Sequence, residues 1–163
     1  MDEIKRLIDQ FHADKPKDRW QAVHALGKLD TAAIEPLLAV LQGSDQEAKP
    51  WAAAALGEIG DPRTVESLIT ALQITDGTLC LFAARALGQI RDPRAVGPLI
   101  DVMRIMNPDW INVRSAAANS LGQIGKPSVE PLLAILQGDA DFDSQQFAIA
   151  ELGEIGDPRA VEP

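Results

Sequence analysis

The stretch Ala55–Leu72 reads "ALGEIGDPRTVESLITAL", and Glu151–Pro163 reads "ELGEIGDPRAVEP". The two are nearly the same phrase, so internal periodicity is the first thing to establish. Leu-Gly recurs at Leu26-Gly27, Leu56-Gly57, Leu87-Gly88, Leu121-Gly122 and Leu152-Gly153. Five residues before each glycine stands Ala22, Ala52, Ala83, Ala117 or Ala148. Two residues after it stands Leu29, Ile59, Ile90, Ile124 or Ile155. Seven or eight residues after it comes Ile34, Val65, Val96, Val129 or Val161. Five copies in register make a repeat of about 31 residues.

Each copy reads as two helices. In helix A, apolar residues fall at helical spacing, as in Trp51, Ala52, Ala55, Leu56 and Ile59. The alanines allow close approach of a neighbouring helix. The glycine lies in the last turn of helix A, where it costs about 1 kcal/mol against Ala and marks close packing. Gly60, Gly125 and Gly156 stand where a left-handed C-cap residue belongs. Asp-Pro-Arg follows at Asp61, Asp92 and Asp157. The Asp accepts from free amides of the next helix, and Pro suits its first position. Helix B then carries one apolar face: Val65, Leu68, Ile69 and Leu72. The same face recurs as Ile34, Leu37, Leu38 and Leu41, as Val96, Leu99, Ile100 and Met103, and as Val129, Leu132, Leu133 and Leu136.

A single pair cannot bury its own apolar face, so the pairs must stack. The expected fold is all-α: a right-handed α-solenoid of about five two-helix HEAT-like repeats, the last one incomplete. One domain spans 1–163. Residues 1–13 form an N-terminal capping helix carrying Ile4, Leu7, Ile8 and Phe11. The repeats run 14–43, 44–74, 75–106, 107–138 and 139–163. The unit "ALGxIGDPRAVxPLIxxL" resembles the short HEAT-like repeats of the phycobilisome-lyase type. That resemblance covers nearly the whole chain. It implies the fold, and it leaves function open among bilin lyase subunits, deoxyhypusine hydroxylase and protein-binding scaffolds.

Composition narrows the partners. Hydrophobic residues make up 46%, aromatics only 4%, and Tyr is absent, a profile of packed helices. The formal net charge is −9, with 24 acids against 15 bases. Phosphate backbones demand clustered Lys and Arg, so neither nucleic acid nor an anionic membrane is an expected partner. A protein with a basic patch is. Cys80 is the single cysteine and excludes an internal disulfide. The opening "MDEIKRLIDQF" lacks the apolar core of a signal peptide, and no stretch approaches a membrane span. The expected location is the cytoplasm.

No catalytic constellation is found, and no cofactor or metal is expected. The resemblance implies that deoxyhypusine hydroxylase uses His-Glu motifs; here His12 and His24 precede Ala13 and Ala25. Two imidazoles are too few for such a two-metal centre. His24 reads as a surface side chain. "DADFDS", Asp139–Ser144, lacks the Gly and Glu of a calcium loop and reads as a helix-capping turn. "GQIGKP", Gly122–Pro127, lacks the earlier glycine and the Ser/Thr of a phosphate loop. Cys80 stands where other units have Arg19, Lys49 and Arg114, and with no nearby His it reads as a passive, partly buried thiol. Arg63, Arg94 and Arg159 read as ion-pair partners of acids in neighbouring units.

Function is then expected on a surface. B helices are expected to line the concave face. Their outward rows are Glu35, Pro36 and Ala39; Glu66, Ser67 and Thr70; Gly97, Pro98 and Asp101; Glu130, Pro131 and Ala134. Small side chains with a recurring acid suit a basic partner. A second candidate is "RIMNPDWIN", Arg104–Asn112, where the repeat lengthens and Trp110 either binds or packs over the junction between units. The leading expectation is a non-enzymatic interaction scaffold; the alternative is a bilin lyase subunit or chromophore chaperone. A designed repeat array is disfavoured, because the units vary in length. Ser144 and Glu151 make the last helix A more polar, while Phe147, Ile149, Leu152 and Ile155 lack a following helix. This predicts either that the protein continues beyond Pro163 or that this end associates with another chain.

Overall fold

The computed structural model describes residues 2–73 and 76–160. Among these residues there are helices and no strand. α1 (Asp2–Asp9) comes first. The A helices are α2 (Pro16–Lys28), α4 (Lys49–Ile59), α6 (Gly77–Ile90), α8 (Ile111–Ile124) and α10 (Phe142–Ile155). The B helices are α3 (Ile34–Gln42), α5 (Val65–Leu72), α7 (Val96–Met103) and α9 (Val129–Gln137). The repeat position Val161 lies outside the described residues. The chain is an all-α solenoid of stacked A/B pairs, and α1 packs on the first pair. Leu7 and Phe11 are buried there, with Ile4 and Ile8 half-buried against the core.

Local chemistry sets the helix ends. Gly60 and Gly156 close α4 and α10 in the left-handed region, at φ 72° and 71°. A side chain is disfavoured there, yet α6 ends the same way on Arg91 at φ 60°. Each Asp-Pro-Arg opens a short 3-10 turn, followed by a B helix after the turns at Asp61 and Asp92. Asp61 and Asp92 accept from the amides of Arg63 and Arg94 at 2.8 and 2.9 Å. Hydrogen bonds from these arginine side chains and backbones hold both carboxyls below the usual Asp range.

One core runs the length of the stack. The first B-helix residues, Ile34, Val65, Val96 and Val129, are buried, as are Leu37, Leu68, Leu99 and Leu132. From A helices come Ala22, Leu26, Ala52, Leu56, Ala83, Leu87, Ala117 and Leu121. Trp51 and Ile59 are only half-buried at its edge.

Four of the Leu-Gly glycines, Gly27, Gly57, Gly88 and Gly122, are contact points between successive A helices. A Cβ on Gly57 would lie 2.7 Å from the Ala86 Cα, and one on Gly88 would lie 2.6 Å from the Ser120 Oγ. Consecutive A helices touch along much of their length, whereas consecutive B helices meet at only a few points. In a curved two-layer stack, the more closely spaced layer lies on the inside. The A layer is therefore the concave side. The expectation that B helices line it is corrected, and the cause is steric: glycine and alanine draw the A helices together.

The last pair departs from expectation as well. Ser144 and Glu151 do not form a polar outer cap. They are 0% and 8% exposed, packed into the stack. Leu152 is buried too, not left open, while Phe147 and Ile155 are half-buried against the core. Ile149 and Phe142 are exposed.

Candidate interaction surfaces

The first surface belongs to the A helices. Trp20, Trp51 and Phe82, from α2, α4 and α6, form an aromatic cluster. Trp51 meets Trp20 and Phe82 edge-on at 5.5 and 5.3 Å between centroids. Trp20 and Phe82 stack at 5.8 Å. Such contacts stabilise by about 0.5–1.5 kcal/mol each beyond burial. Trp20 nevertheless remains 37% exposed. His24 stacks on it at 5.9 Å and lies 2.8 Å from the Glu58 carboxylate, on the surface as expected. Arg19 sits 5.6 Å over the Trp51 ring. Further along, between α6 and α8, a cleft of about 430 Å³ is lined by Leu81, Arg85, Asn112, Ser115, Ala116 and Asn119. The concave side thus passes from aromatic to polar. The sequence reading missed this cluster. Trp20 sits seven residues before its glycine, Trp51 and Phe82 six, so a strict column alignment separates them.

The second surface is the B-helix row. Glu35, Ala39, Glu66, Thr70, Asp101, Glu130 and Ala134 are all exposed, as the pattern required. Two of its acids have structural partners. Arg94 Nη1 donates to Glu66 Oε1 at 3.1 Å, and its Nη2 donates to the Pro62 carbonyl at 2.9 Å. Arg159 pairs likewise with Glu130 and with Asp157. The Asp157 carboxyl is held down to about 2 by hydrogen bonds from Arg159. Arg63 pairs within its own turn, with Asp61 at 2.7 Å. Pairing between units, expected of all three arginines, holds for Arg94 and Arg159. Thr70 turns its hydroxyl onto its own helix, donating to the Glu66 carbonyl at 2.9 Å. Trp110 is half-buried and packs over the junction, 3.8 Å from where a Cβ on Gly77 would be.

A third cluster ties repeats together. Arg114 is 4% exposed. Its Nε donates to the Met103 carbonyl at 2.8 Å, and its Nη2 donates to Asp141 Oδ1 at 2.6 Å and Ser144 Oγ at 2.9 Å. Asp141 caps α10, as expected of the acidic turn. Burial works to raise its carboxyl, but the Ser144 and Arg114 hydrogen bonds prevail and hold it at about 2. Arg19 repeats the motif, with Nε donating to the Ala13 carbonyl at 2.6 Å. Cys80 fills the same slot. It is fully buried, with Sγ 3.6 Å from the Leu72 carbonyl. Burial, aided by Asp76, pushes the thiol up to about 11, so it is protonated at neutral pH and a poor nucleophile. Among the described residues, no group of three or more His, Cys, Asp or Glu could hold a metal ion. Nor is any described helix long and apolar enough to cross a membrane.

The HEAT-repeat family model matches residues 4–81 and 65–135. The chain belongs to the HEAT-repeat family. Its fold resembles a chain in the complex of CpcE and CpcF of phycocyanin lyase from Nostoc sp. PCC7120, with TM-score 0.73 and 21% identity, over 91% of this chain and 96% of that one. It also resembles an engineered protein, with TM-score 0.61 and 23% identity, over 95% and 80% of the two chains. Computationally designed armadillo repeat proteins for modular peptide recognition match with TM-score 0.54 and 15% identity, over 93% and 81%. No curated protein matches the chain by sequence. These likenesses are of fold.

Proposed function

We propose that this protein is a non-enzymatic scaffold that binds another protein along the concave side formed by its A helices. The observation that carries this reading is the aromatic cluster of Trp20, Trp51 and Phe82, in which Trp20 is exposed and the other two are half-buried beneath the surface. These rings come from three successive repeats and carry the edge of the core out to the exposed Trp20. Aromatic side chains of this kind are frequent anchors of protein interfaces. Affinity capture from the source organism with the intact chain, compared with Trp20→Ala/Phe82→Ala, tests it. Capture should be lost in the double variant while its helical content is kept. Undiminished capture would reject the A-helix face.

The exposed B-helix row is proposed as a second contact surface for a partner with a basic patch. Charge reversal at Glu66, Asp101 and Glu130 tests that surface. Because Glu66 and Glu130 also hold Arg94 and Arg159, a thermal melt must accompany the capture. Self-association through α10, where Phe142 and Ile149 are exposed, is a further proposal. Sedimentation at rising concentration reads it.

A bilin lyase subunit is the second reading, favoured by the likeness to the CpcE–CpcF complex. Mixing the protein with phycocyanobilin decides it: an absorbance shift supports the reading, and an unchanged spectrum removes it.

A further inference from the structure

Two features that the sequence presents separately, the acid of the third B-helix row and the tryptophan of the long junction, meet in one cleft. It has a volume of about 380 Å³ and lies between α5, α7 and the segment that follows α7. Such a volume is enough for a small ligand or a long side chain. Leu72, Pro98, Val102, Ile105 and Trp110 give it apolar walls, and Asp101 and Gln73 supply its polar groups. Leu72 and Val102 are fixed in the core at 5% and 4% exposure, so those walls are rigid.

The charge in this cleft is uncommitted. Glu66 and Glu130 are engaged by Arg94 and Arg159 of the following units. In the third unit the corresponding position is Gly97, and Pro127 stands where the fourth unit would place the arginine. Both partners of that bridge are missing together. A Cβ on Gly97 would meet nothing within 4 Å. Among the described residues, no Lys, Arg or His nitrogen lies within ion-pair distance of Asp101, and Arg104 on the same segment does not reach it.

We propose that the cleft between α5, α7 and Trp110 is a binding site for a lysine side chain of a partner protein. The aliphatic stem lies against Leu72, Val102 and Ile105. The ammonium reaches the Asp101 carboxylate beside the Trp110 ring, whose face attracts cations. A long aliphatic chain ending in a compact charge matches this combination of walls and carboxylate. The proposal deepens the scaffold reading by naming the chemistry recognised at one point of its surface.

The test uses the full chain labelled with nitrogen-15. Its probes are a blocked Ala-Lys-Ala tripeptide and the same peptide with norleucine in place of lysine. The indole signals of Trp20, Trp51 and Trp110 are assigned by single Trp→Phe variants. The lysine peptide is expected to shift the Trp110 signal saturably, and the norleucine peptide to bind about fivefold more weakly. Asp101→Asn should bring the lysine peptide down to the norleucine level, and Asp139→Asn, at an exposed acid outside the cleft, should leave it unchanged. Three results would overturn the proposal: no shift at Trp110, equal binding of the two peptides, or full lysine binding in Asp101→Asn. A scaffold that fails to capture a partner but still binds the lysine peptide would separate the two claims.

Discussion

At the scale of single residues, the structure turns on atoms that are missing. Gly57 and Gly88 let two helices approach to a distance that no Cβ tolerates. Gly153 occupies the same column in α10, but a Cβ there would meet nothing within 4 Å. The two sites should therefore respond oppositely. Gly57→Ala is expected to destabilise the fold by about 1–3 kcal/mol through overpacking against the Ala86 backbone. Gly153→Ala should stabilise it by about 0.5–1 kcal/mol, the helix-interior preference for alanine. Urea unfolding of both variants checks this, and effects of the same sign would refute the packing argument. Arg114 makes the opposite point, that a buried charge must be fully held. Arg114→Ala removes the guanidinium donor from Asp141, Ser144 and the Met103 carbonyl, leaving Ser144 alone to donate to the other two, an expected loss of about 2–4 kcal/mol. Arg114→Lys should recover little of it, because one ammonium cannot copy the guanidinium fork. Thermal unfolding of the two variants side by side measures both effects.

At the scale of elements, the seam between α8 and α10 differs from those before it. The column that faces the preceding helix holds Ala55, Ala86, Ser120 and Glu151 in successive units. Ser120 is satisfied by the Ala84 and Ala116 carbonyls at 2.8 Å each. Glu151 is buried against Gly122, and its Oε2 lacks a hydrogen-bond partner. Desolvation, helped by Glu154, raises its carboxyl from 4.5 to about 7. A carboxyl raised on folding favours the folded state while it is protonated. That stabilisation is complete below about 4.5 and is lost as pH rises to about 7. The size is on the order of 3 kcal/mol. Asp141 and Asp157, held at about 2, stay ionised throughout this window and do not mask it. Melting of the wild-type chain should therefore fall between pH 5 and 8, while Glu151→Gln should flatten that decline. An equal decline in the variant would assign it to other groups.

The repeat, the helix pairs and the glycine contacts were legible in the sequence because each is set by local spacing. The fate of Ser144 and Glu151 was not. Polarity suggested an outer cap, but Ser144 is held inside by Arg114, thirty residues earlier, reaching across to it, and Glu151 packs against Gly122 of the preceding unit. The concave side was misread for a related reason. Curvature depends on the difference between two interhelical spacings, and neither spacing is a property of one repeat. The meeting of Asp101 and Trp110 was hidden because the longer junction between the third and fourth units breaks the register on which the alignment relied.

At the scale of the whole molecule, a solenoid's stability is a chain of nearest-neighbour interfaces. Those interfaces are unequal here. α4–α6 and α6–α8 are the most extensive A-helix seams, α2–α4 is smaller, and α8–α10 is the smallest. The buried, unpartnered Glu151 weakens that last seam further above neutral pH. Opening should therefore be graded along the stack. Native-state hydrogen exchange at pH 8 is expected to show α10 exchanging through the smallest opening free energy, with α4 and α6 close to the global value. Glu151→Gln should raise protection in α10 and leave α4 unchanged, since a nearest-neighbour effect does not travel across three seams. Uniform protection from α2 to α10 would instead mean that the stack opens as a single unit, and the stability of each seam could not then be tuned separately.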